Sequence, residues 1–134
     1  MRQITNESVR ALMRGQTMSK SNMHTSTHTA AECHVTSLYL HGNLIAEKRG
    51  TGPDFDVILY DAGWQSTTTK ERLNGVLAWL GLPHLIYQKD YEWFINGEDW
   101  HGSVTVFVRA HYVVRIQSTR PDGVHISVPL NWIN

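Results

Sequence analysis

From His34 to Tyr60 polar and apolar residues alternate with a period of two, and no other feature limits the fold of this chain as tightly. Val35, Ser37 and Tyr39 fall on one side and Thr36, Leu38 and Leu40 on the other, as successive side chains of a half-buried strand must. The pair Gly42-Asn43 reads as a tight turn into a second strand, Leu44 to Lys48, because both residue types accept the positive φ of a short hairpin loop. A turn containing Gly and Pro at Gly50 to Asp54 precedes a third strand, Phe55 to Tyr60. Three antiparallel strands in a meander is the simplest topology for these signals.

One helix is marked as clearly. Thr68 and Glu71 stand at capping-box spacing, and Leu73, Val76, Leu77 and Leu80 follow at helical intervals. Gly81 supplies a stop and Pro83 prevents resumption. Gly75 inside this run disfavours helix by about 1 kcal/mol relative to Ala, which points to close packing on a sheet or to a break. A shorter first helix is expected from Glu7 to Arg14, with Thr5 or Asn6 as N-cap and Gly15 as the left-handed stop. Gln16 to Ala31 is polar without apolar periodicity and reads as a loop or an exposed edge strand.

Beyond the second helix, Leu85 to Lys89 and Tyr91 to Ile95 read as strands, and Asn96-Gly97 is a strong hairpin signal. Val104 to Arg109, Tyr112 to Gln117 and Val124 to Val128 add β-rich segments, the last two joined by a Pro121-Asp122-Gly123 turn. The expectation is an α+β fold: a mostly antiparallel sheet of about five to seven strands, a short N-terminal helix, and one capped helix packed on one face. At 134 residues, with no linker-like composition, the chain is expected to form one domain. Residues 101–134 would then add strands to the same sheet or build a small second one.

Charge and cysteine narrow the functional classes. Twelve basic and twelve acidic residues cancel, so no overall field draws the chain to nucleic acid or to an anionic membrane, although a local patch stays open. The single cysteine, Cys33, permits no internal disulfide and no thiolate-rich zinc site. No apolar run reaches membrane-spanning length and no signal peptide is readable, which leads to an expectation of a soluble, intracellular protein.

Several strings occur in a fixed order: Leu38-Tyr39-Leu40-His41-Gly42-Asn43-Leu44-Ile45-Ala46, then Ala62-Gly63-Trp64, then Thr67-Thr68-Thr69-Lys70-Glu71-Arg72-Leu73-Asn74-Gly75, then Tyr87-Gln88-Lys89-Asp90 and Trp93-Phe94-Ile95-Asn96-Gly97. With Ser21-Asn22 upstream, this series resembles a family of small bacteriophage and prophage proteins catalogued as a domain of unknown function. The resemblance spans roughly Ile4 to Trp100, making residues 1–100 the family-like core. It implies a place of action in the cytoplasm of an infected or lysogenic bacterium and carries no activity with it.

Chemistry is sought first among the eight histidines. His24, His28 and His34 cluster in one polar segment, but no acidic pair or second cysteine completes a tetrahedral set, so neither a metal nor a cofactor is expected. Histidine-x-Ser/Thr tripeptides at His34-Val35-Thr36 and His125-Ile126-Ser127 resemble the catalytic pairs of two-histidine phosphoesterases, in which imidazoles exchange acid and base roles. That chemistry requires the two on adjacent strands, making His34, Thr36, His125 and Ser127 the catalytic candidates.

The binding candidates are Trp64, Thr67, Lys70 and Arg72. Hydroxyls, free amides and two cations at a helix start suit an anionic group, and Trp64 stands in the preceding loop as a core plug or a partner anchor. Trp79 falls off the leucine stripe and should sit at the core's edge. The resulting expectation is a phage accessory protein that binds a host or phage macromolecule without catalysis. A phosphodiester-directed enzyme or nucleotide binder is the alternative. A nucleic-acid module is a third reading, which would need the basic and aromatic residues near the capped helix to share one face. The oligomeric state is open.

Overall fold

The computed structural model describes residues 2–61, 66–83, 86–100 and 102–128. Its elements in chain order are α1 (Gln3–Arg14), β1 (Met18–Lys20), β2 (Met23–Ala30), β3 (Cys33–Leu40), β4 (Asn43–Arg49), β5 (Phe55–Tyr60), α2 (Thr67–Trp79), β6 (Ile86–Lys89), β7 (Glu92–Ile95), β8 (Glu98–Asp99), β9 (Ser103–Arg109), β10 (Tyr112–Thr119) and β11 (His125–Val128). Eight strands form one antiparallel sheet in the order β1-β2-β3-β4-β5-β9-β10-β11, and β6-β7-β8 form a second, three-stranded sheet.

The large sheet exceeds the expected five to seven strands because the polar stretch 16–31 contributes two of them. Met23 and Thr25 of β2 turn inward and are buried, while His24, His28 and Thr29 stay exposed. Weak apolar periodicity thus hid a strand that buries only one end of one face. The C-terminal strands continue this sheet, since β9 pairs with β5. The small sheet comes instead from residues 86–99.

One face of the large sheet carries the core. Across it Thr25, Leu38, Ala46, Leu59 and Val104 pair in register, and the apolar members cluster with Val9 and Leu12 of α1 and Leu73, Val76 and Leu77 of α2. Each aliphatic side chain fully buried there contributes about 1.5–3 kcal/mol. The β3–β4 register shifts at Leu38/Tyr39, and this bulge lets the consecutive residues Ile45 and Ala46 both be buried, which strict alternation would forbid. Trp93 and Trp100, edge to face at 6.3 Å, attach the small sheet to the same core.

The helices differ from the sequence reading at their starts and agree at their ends. α1 begins at Gln3, with Arg2 in the cap position and no side-chain cap. Thr5 is not a cap: it is buried inside the helix and its hydroxyl serves α2. Gly15, at φ 68°, closes α1 as expected, and Lys48 Nζ donates to the Met13 carbonyl at 2.7 Å. In α2 the cap is Ser66, whose Oγ accepts from Thr69 N at 3.1 Å. Thr68 lies within the helix, and Glu71 is drawn sideways to Arg72 rather than back to a capping box. Gly81 takes φ 80° and Leu82 N donates to the Leu77 carbonyl, so α2 stops where the Gly/Pro pair predicts.

Two-residue loops join many strands. Asn96-Gly97 is one, as expected. The β3–β4 loop is His41-Gly42, not Gly42-Asn43, because Leu40 pairs with Asn43. Ala31-Glu32, Asp90-Tyr91 and Ala110-His111 adopt the same left-handed geometry without glycine, a conformation disfavoured by about 1–2 kcal/mol per residue that the flanking ladders must outweigh. Among the described residues no helix is long and apolar enough to cross a membrane.

Candidate functional site

α2 has two sides with different neighbours. Residues two apart on a helix point about 200° away from each other, so Lys70 and Arg72 cannot serve one anion together. The structure separates them accordingly. Arg72 turns inward, 2% exposed. Its Nη1 donates to Thr5 Oγ1 at 2.6 Å and pairs with Glu71 Oε1, and its Nε lies 3.3 Å from Met23 Sδ. Thr5 Oγ1 donates to Glu71 Oε1 at 2.7 Å, and Arg2 Nε reaches Glu71 Oε2 at 3.4 Å. Burial lowers the guanidinium's pKa from the ordinary arginine range, and the Glu71 carboxylate opposes that shift. Arg72 therefore clamps α2 to α1 and is not a surface cation.

Lys70 and Thr67 lie on the other side, lining an open cleft of about 630 Å³ between α2 and β6 with Glu71, Asn74, Gly75, Ile86, Tyr87 and Gln88. That volume falls in the range of ligand sites. Lys70 Nζ is 3.5 Å from Gln88 Oε1 and 5.8 Å from the centroid of the Trp93 ring. Tyr87, 41% exposed, stacks on Phe94 at 5.5 Å. Asn74 bridges helix and strand: its Nδ2 donates to the Ile86 carbonyl at 3.0 Å, and its Oδ1 accepts from Ile86 N at 3.1 Å. Sequence reasoning found Thr67 and Lys70 but missed Asn74, Tyr87 and Gln88 as site residues, although Asn74 lies in the string Thr67 to Gly75 and the other two in Tyr87-Gln88-Lys89-Asp90. Trp64 lies outside the described residues.

The histidine candidates do not converge. His34 and Thr36 are on β3, and His125 and Ser127 are on β11, with β4, β5, β9 and β10 between them. Five strand spacings amount to roughly 24 Å. Thr36 is buried, and His34 packs against the end of α1, where a β-carbon on Gly15 would stand 3.4 Å from His34 Nε2. His125 Nδ1 is 3.0 Å from Thr119 Oγ1 at the far edge of the sheet. His24 and His28 project from the sheet face opposite to His34, since His28 pairs with Val35 and Thr29 with His34. Among the described residues no three His, Cys, Asp or Glu side chains are grouped to hold a cation.

A second depression of about 280 Å³, lined in part by Met13, Lys48, Phe55 and Trp79, contains a half-buried amine. Burial lowers the pKa of Lys48, but its Nζ is already bonded to the Met13 carbonyl and lies 4.8 Å from the centroid of the Phe55 ring. Its function there is to hold the end of α1. Trp79, 46% exposed, sits at the core's edge as its sequence position implied.

Sheet, helices and cleft together define a small α+β protein with an open groove beside its second helix. The chain belongs to the Kyanoviridae Gp96 protein family, whose profile matches residues 1–114, a phage protein family of unknown function. The match runs past Trp100, so β9 and the start of β10 lie inside the family segment with α1 to β8. No curated protein and no solved structure matches the chain significantly.

Proposed function

We propose that this phage protein acts without catalysis, by binding a host or phage protein in the host cytoplasm through the α2–β6 cleft. The observation that supports this reading is the cleft itself, which gathers Thr67, Lys70 and the half-exposed Tyr87. An aromatic beside a cation in a concave site is the kind of anchor that dominates protein interfaces. The Glu71 carboxylate in the same wall is engaged by Arg72, Thr5 and Arg2, which leaves Lys70 as the available charge. The test is affinity capture from infected cells with wild type and with Lys70→Glu. A partner retained by wild type and lost by a folded Lys70→Glu variant supports the cleft, whereas equal retention moves the binding surface elsewhere.

Nucleic-acid binding is a second reading with one observation in its favour. The sheet face away from the helices carries Tyr39, Tyr60 and Phe107, and Arg115 lies 4.1 Å from the centre of the Phe107 ring. Stacking platforms combine such groups. However, Arg49 and Arg109 on that face are paired with Glu47 and Asp56, and Lys70 is on the opposite side of the sheet. Anisotropy of a labelled oligothymidine should therefore show no binding at physiological salt that Arg115→Ala weakens.

A further inference from the structure

The β6 edge of the cleft offers backbone groups that, among the described residues, no protein group pairs. In an antiparallel hairpin closed by a two-residue loop, the residues flanking the loop form a hydrogen-bonded pair and the pairs then alternate. The loop here is Asp90-Tyr91, so Lys89–Glu92 and Tyr87–Phe94 bond across the ladder, while Gln88 and Ile86 direct their backbone groups away from β7. Two contacts agree with this phase. Trp93, opposite Gln88, offers its carbonyl to Trp100 N on the far side at 2.9 Å, and both outward groups of Ile86 are taken by the Asn74 carboxamide.

Asn74 thus occupies, at Ile86, the place that the backbone of an added strand would occupy. One rung further along the same edge, the Gln88 N–H and C=O face the cleft, and among the described residues nothing bonds them. Lys70 stands beside that rung, its ammonium 3.5 Å from Gln88 Oε1.

We propose that the cleft accepts an extended segment of a partner protein by strand addition at Gln88, with an Asp or Glu side chain of that segment meeting Lys70. This rests on the cleft reading above and specifies its occupant. Backbone pairing at an edge supplies affinity in such complexes, and pockets for alternate side chains supply selectivity. The acidic requirement follows from charge: Lys70 is the cation in the groove, and Glu71 is already neutralised by Arg72 and Arg2.

The test uses the intact protein and a displayed library of random eight-residue peptides. Selected peptides should be rich in β-branched residues and carry an acidic residue at one position. Gln88→Pro, which removes an outward N–H that the β6–β7 ladder does not use, should weaken the best peptide at least tenfold, and Gln88→Ala should change it less than threefold. Methylating the peptide's backbone nitrogens one at a time, which leaves the protein untouched, should produce one position with a loss of tenfold or more. Saturation with peptide should slow exchange of the Gln88 amide at least tenfold. Peptides that lose binding on Lys70→Glu but ignore both Gln88→Pro and N-methylation overturn strand addition while leaving the cleft reading intact. A selection with no enrichment over one run against Lys70→Glu overturns strand addition, and cellular capture insensitive to Lys70→Glu overturns the cleft reading itself.

Discussion

The two sides of α2 are attached to their neighbours in opposite ways. Toward α1, Arg72, Glu71, Thr5 and Arg2 form a closed network in which each charge has a partner and the guanidinium is shut away from water. Toward β6, one carboxamide, Asn74, spans the gap, and beside it remains a cleft lined by Thr67, Lys70 and Tyr87. The same 13-residue helix therefore has a side whose polar groups are used up by folding and a side whose polar groups remain available. The proposed binding surface is on the second side, because a satisfied network has nothing left to offer a partner.

The largest effect should come from breaking the closed side. Arg72→Ala leaves Glu71 without its principal partner and Thr5 without its donor. Removing one member of a buried ion pair destabilises by about 3–5 kcal/mol, and because Glu71 is one-third exposed the loss should fall near 3 kcal/mol. Urea unfolding measures it. A loss below about 1 kcal/mol would mean that water replaces the clamp and that the two sides of α2 are less different than their geometry suggests.

Next is the single bridge on the open side. Asn74→Ala strips Ile86 N–H and C=O of their partners, both buried, and should destabilise by about 2 kcal/mol. Hydrogen exchange sharpens the comparison: the Ile86 amide should lose protection in Asn74→Ala while amides of the β3–β4 ladder keep theirs. Uniform loss of protection would show that β6 and the large sheet open as one unit.

The helix start comes third. Ser66→Ala should cost about 1 kcal/mol, the usual effect of losing an N-cap, and Thr68→Ala should be close to neutral in thermal melts. The reverse order would restore Thr68 as the cap.

What the sequence revealed and what it concealed follow the same division. Strand period, the end of α2 at Gly81 and Pro83, and the Asn96-Gly97 loop depend on local stereochemistry, and all were legible. The loops Ala31-Glu32, Asp90-Tyr91 and Ala110-His111 were not, because strand pairing imposes a left-handed backbone on residues that do not favour it. The cap was misplaced because four consecutive hydroxyl residues, Ser66 to Thr69, offer equivalent chemistry, and only the direction of chain entry distinguishes them. Lys70 and Arg72 appeared as twin cations because helical phase gives their relative direction, not which direction holds a neighbour. The buried place of Arg72 depends on Thr5, 67 residues away, and no local pattern encodes that.

A small effect on stability is also the one that separates the sides most cleanly. Lys70→Ala removes a cation two residues from Arg72, yet its ammonium makes a 3.5 Å contact to one exposed amide and lies 5.8 Å from the centroid of the Trp93 ring. Neither contact replaces solvation, so stability should change by no more than about 0.5 kcal/mol, typical of a surface substitution. Thermal melts of Lys70→Ala and Arg72→Ala in the same buffer should therefore differ by more than either measurement's error, with only the second shifted strongly. Added salt should leave the Lys70→Ala midpoint tracking wild type, since among the described residues Lys70 holds no ion pair for salt to screen. A Lys70→Ala loss above about 1 kcal/mol would mean that the lysine is bound to Trp93 as structure. The open side would then be closed, and the binding surface would have to be sought on the sheet face that carries Phe107 and Arg115.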